Sequence, residues 1–290
     1  MSALALSLAA GALFGLLIAV ARWALGRGAD AEAGAACSAI VATGVVALVG
    51  AAAGGLGGAS WSQLWPYVAL GAVVPGVTQI IFIHAVRTVG ASRTAIVIGA
   101  APLLSAIIAV IALDERPHAV LAVGTALIVV GGFALAWEKS RPVELRAIGL
   151  LLAAACAGLF ATRDNVLRAL AGEDAPPVLA ATLVSLGAAA VVTLSYVALR
   201  QRRELAAGMA SAAVPFGVAG LVLGLAYATL VGALDRGDVT LVAPLNATQS
   251  LWAIAFAALI IGRRADAISR RVVIAGVLVV AGSALVAAFR

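Results

Sequence analysis

The sequence predicts an all-α integral membrane protein, with ten transmembrane helices built as two five-helix repeats inserted in opposite senses. Three observations carry this reading. Apolar residues make up 64% of the chain and charged residues 11%, against about half and a quarter in soluble domains, and mean hydropathy is +1.14. Apolar runs close to the ~20 residues that cross a bilayer recur along all 290 residues with short polar breaks between them. The two halves of the chain also resemble each other.

In chain order the spans are read as Ala3–Ala21, Ala35–Ala53, Leu64–Val86, Ser92–Leu113, Val120–Trp137, Ala147–Leu167, Val178–Leu199, Ala212–Leu234, Val239–Ile261 and Val272–Phe289. The first lacks the basic leader of a signal peptide and is expected to be retained. Gly54-Gly55-Leu56-Gly57-Gly58 reads as the turn between the second and third spans. Trp61, Trp65 and Tyr67 near the start of the third, and Trp137 closing the fifth, stand where interfacial aromatic anchors belong. Glu138-Lys139-Ser140-Arg141-Pro142-Val143-Glu144 is the most polar linker and divides a first repeat, residues 1–140, from a second, residues 146–290.

Small residues are abundant because apolar burial does not drive helix association in lipid, so backbones must approach closely. Gly131-Gly132 and the segment from Gly276 to Gly282 are expected to serve such contacts. Cys37 and Cys156 stand alone in apolar segments and read as packing residues, not as a disulfide or metal pair.

The repeat is visible at a shift of 148, which sets Ala85 on Ala233, Ala95 on Ala243 and Leu103 on Leu251. Two extra residues later, Gly132-Phe133-Ala134-Leu135 meets Gly282-Ser283-Ala284-Leu285, and Gly15-Leu16 meets Gly158-Leu159 at a shift of 143. Five spans per half is odd, so the second half must enter from the opposite face, a plan common among secondary transporters.

The formal charge of +6 and pI near 10.3 come from arginines clustered between apolar runs, with no interleaved aromatics. Headgroup contact and orientation explain them, so no nucleic-acid partner is expected. Fourteen of the 19 Lys and Arg follow spans 1, 3, 5, 7 and 9, which by the positive-inside rule puts those loops in the cytoplasm and both termini outside.

Polar side chains within spans are costly and therefore informative. Pro102 in the fourth span and Pro244 in the ninth are hinge candidates, since proline frees backbone groups and broken helices in matching positions mark carrier sites. Proline merely tolerated in a helix is the alternative. Beyond Pro244 the ninth span holds Asn246, Thr248, Gln249, Ser250 and Trp252. Asn246, Gln249 and Trp252 share a helix face, where two amides could hold a polar or zwitterionic substrate against an indole wall. Packing by interhelical hydrogen bonds is the alternative.

Thr78 and Gln79 follow Pro75 in the third span, and Gln79 falls on Tyr227 at the shift of 148. The pair could face one another across a cavity, or Gln79 could satisfy a carbonyl freed by Pro75. Arg163 and Asp164 end the sixth span. They could hold a substrate carboxylate and amine, or form a snorkelling arginine with a local partner. His84, near the end of the third span, is a further candidate whose alternative is a structural histidine.

The chain resembles the drug/metabolite transporter superfamily, specifically its ten-helix EamA-like members. The resemblance rests on Ala91-Ser92-Arg93-Thr94-Ala95 opening the fourth span, Pro102-Leu103 within it and Asp114-Glu115-Arg116-Pro117 closing it. Asp114 replaces the glycine of the family's frequent Gly-Glu-Arg signature, and Gly262-Arg263-Arg264 in the second half lacks its glutamate. The resemblance implies a multi-pass carrier of a bacterial inner membrane that exports amino acids, related metabolites or drugs by alternating access. Its substrate would bind between the halves, against spans 1, 3, 4, 6, 8 and 9. The small four-helix relatives exchange protons on a carboxylate in their first helix. The first span here has none, which leaves Asp164 as the one carboxylate considered for proton coupling.

No Walker sequence, metal-ligand cluster or convergent Ser, His and carboxylate set is present in the sequence. A non-enzymatic protein without cofactor or metal is expected, its partners the bilayer and a small-molecule substrate, and its state a monomer with oligomers left open. A lipid-linked flippase of the same superfamily is the alternative function, followed by a membrane-embedded enzyme and a non-transporting subunit.

Overall fold

The computed structural model describes residues 2–101, 103–104, 123–124, 126–127, 130–131, 143–237, 242, 245–262 and 269–288, and the described residues contain helices and no strands. Pro102, Pro244, Trp137, Gly132 and the Asp114-Glu115-Arg116-Pro117 segment lie outside them. The helices are α1 (Ala3–Gly26), α2 (Ala31–Ala53), α3 (Trp61–Gly71), α4 (Thr78–Val89), α5 (Ala91–Ile98), α6 (Val143–Leu170), α7 (Val178–Arg200), α8 (Leu205–Arg236), α9 (Gln249–Ile260) and α10 (Arg270–Ala288). Six described stretches are long and apolar enough to cross a membrane: Ala3–Gly26, Ala31–Ala53, Trp61–Val89, Ala147–Leu170, Val178–Arg200 and Leu205–Arg236.

Several helices outrun the spans read from hydropathy. The apolar run of the first stops at Ala21, yet backbone hydrogen bonding carries α1 on through Arg22 to Gly26. The eighth starts at Leu205, seven residues before the predicted Ala212. Polarity marks the edge of the greasy region, whereas a helix ends where its terminal groups find caps. Asp30 supplies one such cap, accepting the Ala33 N–H at 2.7 Å to start α2. Gly54, in the left-handed region at φ 67°, ends α2 at the predicted glycine turn.

Three breaks interrupt the predicted spans. The third is split between α3 and α4 by a wide turn, Ala72–Val77, where Val74 leaves helical geometry beside Pro75. The fourth passes from α5 into a tight turn in which the Ala100 N–H bonds the Val97 carbonyl at 3.1 Å. The ninth has a similar turn at Thr248, whose N–H bonds the Leu245 carbonyl at 3.3 Å. Ala100 and Thr248 stand at equivalent places at the shift of 148.

Small residues set the packing. A Cβ on Gly220 of α8 would lie 2.7 Å from the Ser38 carbonyl oxygen of α2, and one on Gly224 would lie 3.0 Å from the Ala42 carbonyl. Ser38 Oγ donates to the Phe216 carbonyl at 3.3 Å across the same interface. α1 packs against α8 and α9, α2 against α7, and α4 against α6. Leu48, Leu151, Val191, Leu199, Val214 and Leu259 point outward, an apolar exterior suited to hydrocarbon. Of the expected interfacial aromatics, Trp61 is 69% exposed, but Tyr67 is buried and donates to the Leu170 carbonyl at 3.3 Å. It is a packing residue because α7 covers the face of α3 that carries it.

Candidate functional site

The broken helices surround two small adjoining pockets between them. They share Phe14 of α1, Ile98 of α5, Phe160 and Arg163 of α6, and Gln249 of α9. Asp164 and Asn246 line one, and Gln79, Phe82, Leu223 and Tyr227 line the other. The wall therefore draws on the first, third, fourth, sixth, eighth and ninth predicted spans. Ligand sites are commonly apolar with a few convergent polar groups, and the linings here have that composition.

Each polar group reaches the cavity for a local reason. The Val74 break disturbs the regular helical pairing around it, although the Val73 carbonyl still accepts the Thr78 N–H. Thr78 Oγ1 donates to the Val73 carbonyl at 2.9 Å, and the Tyr227 hydroxyl donates to the Val74 carbonyl at 3.2 Å. With both carbonyls served, Gln79 has no backbone debt to meet, and its buried Nε2 has no hydrogen-bond partner. The Gln79 Nε2 donates to no carbonyl, so Gln79 does not satisfy one freed by Pro75. Asn246 precedes the Thr248 turn, and its buried Oδ1 is likewise unpartnered. Buried polar atoms are ordinarily paired, so a donor and an acceptor left open beside an internal space fit a polar guest.

Arg163 and Asp164 are 3% and 8% exposed. The snorkelling alternative fails for them, because α6 extends six residues beyond Asp164 and carries both side chains inside the bundle. Arg163 Nε and Nη2 each lie 2.8 Å from Asp164 Oδ1. The guanidinium is also 4.7 Å from the Phe160 ring centre, 5.8 Å from Tyr227 and 5.9 Å from Phe14.

Four sequence candidates lie off the cavity wall. Thr78 is spent on Val73, and Thr248 Oγ1 donates to the Leu245 carbonyl within its own turn. Trp252 is 43% exposed and stacks on Phe256 at 5.8 Å. Gln249 and Trp252 stay three apart on the continuous α9, so the turn at Thr248 shifts only Asn246 relative to them, and Trp252 sits at the outer edge of that face. His84 lies at one end of the bundle, with Nε2 3.7 Å from Glu32 Oε1.

That end holds a network the sequence reading passed over. Glu32 accepts from the Tyr196 hydroxyl at 3.2 Å and from Gln201 Nε2 at 3.1 Å, and Gln201 also reaches Asp30 at 3.4 Å. It ties the start of α2 to the end of α7. Nearby, Arg22 Nη1 donates to the Arg87 carbonyl at 3.5 Å. At the opposite end Gln63 Nε2 donates to the Asp174 carbonyl at 2.8 Å. Acidic Asp30 and Glu32 among the arginines after spans 1, 3 and 7 were the available signal. The aromatic walls Phe14, Phe82 and Phe160 were also missed, and their signal was rarity, with seven Phe in the chain.

Among the described residues no three His, Cys, Asp or Glu side chains group to hold a metal ion.

Residues 1–137 match the model of the EamA-like transporter family. One solved crystal structure of a protein superposes with a TM-score of 0.66 at 20% identity, covering 98% of this chain and 94% of that one, and so shares its fold. The curated proteins gave no match.

Proposed function

We propose that this EamA-like membrane protein is a secondary transporter that exports small metabolites such as amino acids by alternating access around the central cavity. The observation that carries the reading is the pair of unpartnered buried amide atoms, on Gln79 and Asn246, beside an internal space walled by six predicted spans.

Turns at equivalent places in the fourth and ninth spans support an inverted repeat, residues 1–140 against 146–290, with the site where the broken helices meet. The Glu32–Tyr196–Gln201 network closes one end and the Gln63–Asp174 contact ties the other. Rocking would break one set while keeping the other. The positive-inside rule assigns the arginine-rich Glu32 end to the cytoplasm, and a bacterial inner membrane is the proposed location. A flippase would need a basic headgroup pocket, whereas the arginine here is already matched by Asp164.

The test is a thermal-shift screen of the purified protein against amino acids, nucleosides and drugs, followed by counterflow of each hit in liposomes. Asn246→Leu and Gln249→Leu are expected to insert normally and abolish flux. Normal flux in both variants would remove the site assignment, and a bundle that binds and moves none of the three classes would remove the carrier reading.

A further inference from the structure

We propose that Asp164 is a built-in counter-ion that sets charge selectivity, reserving the central cavity for polar solutes of zero net charge. The inference rests on the proposed role of that cavity as the substrate site and adds what the site admits. Arg163 is the one basic side chain and Asp164 the one carboxylate among the described lining residues, so as an ion pair they leave the described wall with no net charge.

The pairing is enforced by the chain itself. The two residues are adjacent on α6, and two guanidinium nitrogens meet one carboxylate oxygen at 2.8 Å. Because both residues sit on α6, Asp164 stays within reach of the guanidinium when other helices move. Removing a charge from water into such an interior is strongly unfavourable unless it is matched. An entering anion would therefore add a second negative charge beside a guanidinium already neutralised. An entering cation would meet a carboxylate already taken.

A neutral or zwitterionic solute escapes both penalties. Arginine has five N–H donors, of which Asp164 engages those on two nitrogens, so a ligand carboxylate can share the guanidinium if its own ammonium faces Asp164. Asn246 Oδ1 asks the guest for a donor, and Gln79 Nε2 asks for an acceptor. The rings of Phe14 and Phe160 stand beside the guanidinium and offer apolar faces to the body of the solute.

The experiment uses the full chain in liposomes and three probes of nearly one shape: phenylalanine (zwitterion), 3-phenylpropionate (anion) and phenylalaninamide (cation). Wild type is expected to bind phenylalanine at least about tenfold tighter than either singly charged probe, the scale on which one unmatched charge acts in a partly desolvated site. Asp164→Asn leaves an unmatched arginine, and 3-phenylpropionate should then overtake phenylalanine. Asp164→Glu should restore the wild-type order. Should Asp164→Asn fail to fold, the double variant Arg163→Gln/Asp164→Asn removes both charges, and discrimination against the anion should fall to within about threefold.

If wild type binds phenylalanine but Asp164→Asn, or the double variant, keeps the wild-type order, the counter-ion role is overturned and the carrier reading stands. Equal binding of all three probes by wild type overturns it as well. If none of the probes binds wild type or variant, the cavity does not admit the zwitterion and the counter-ion reading falls, whereas the carrier reading falls only if nucleosides and drugs fail as well.

Discussion

The Tyr227 hydroxyl donates to the Val74 carbonyl at 3.2 Å, joining α8 to the break in the third predicted span. The two residues are 153 positions apart, and the bond repairs a backbone group that the helix itself leaves open. Tyr227 thereby contributes both to the cavity wall and to the stability of the turn that shapes it.

Tyr227→Phe keeps the ring and removes the donor. Interhelical hydrogen bonds in membrane proteins are worth about 0.6–2 kcal/mol, so a drop of a few degrees in unfolding temperature in detergent is expected. Loss of Val74's partner should also raise amide exchange in the Ala72–Val77 turn. Unchanged exchange there would mean that the bond does not hold the break.

Thr78 and Gln79 are neighbours with opposite expected outcomes. Thr78→Val removes the side-chain donor to the Val73 carbonyl, which keeps the Thr78 N–H, and should destabilise by about 0.5–1.5 kcal/mol. Gln79→Leu removes an unpartnered amide nitrogen, so stability should hold or rise while ligand affinity falls. Thermal unfolding with and without a screening hit separates the two, and parallel losses in both variants would contradict the different bonding of their side chains.

Trp252 was expected to wall the substrate, and the structure turns it outward against Phe256. Trp252→Ala should therefore keep flux within roughly twofold of wild type, with a modest stability loss from the exposed stack, worth about 0.5–1.5 kcal/mol. Flux lost as completely as in Gln249→Leu would return the indole to the pathway.

A Cβ on Gly15 would lie 2.9 Å from the Gln249 carbonyl oxygen and 2.8 Å from the Ala253 nitrogen, both backbone atoms of α9. Gly15→Val must push α9 away, at an overpacking cost of about 1–3 kcal/mol, and take the Gln249 side chain with it. Transport should fall further than stability does. Gly44, whose added Cβ would meet nothing within 4 Å, is the control: Gly44→Val should be silent in flux.

Glu32 joins α2 to Tyr196 and Gln201 of the second half. Glu32→Ala should loosen that end of the bundle and expose Cys37, which is buried between α2 and Met209. Alkylation of Cys37 by a small maleimide should quicken about tenfold, the scale of a lost opening barrier of 1.4 kcal/mol. Cys156, buried on α6 against the Thr78 carbonyl, should keep its rate. Equal acceleration of both thiols would indicate general unfolding instead of a local opening.

Hydropathy and composition pointed to a membrane-spanning helical bundle and to a set of intramembrane polar residues, and the motifs Ala91-Ser92-Arg93-Thr94-Ala95 and Pro102-Leu103 carried the resemblance to EamA-like transporters. These are properties of composition, period and local sequence, and each residue carries its share of them wherever it ends up. What Gln79 bonds, where Trp252 points and whether Arg163 reaches the interface or the interior depended on breaks at Val74 and Thr248 and on helices far away in the chain. A turn changes the phase of everything after it, and a hydrogen bond needs its partner within about 3 Å. Tertiary structure alone therefore decided which polar groups met, which were left open, and that Glu32 ties two distant helices together.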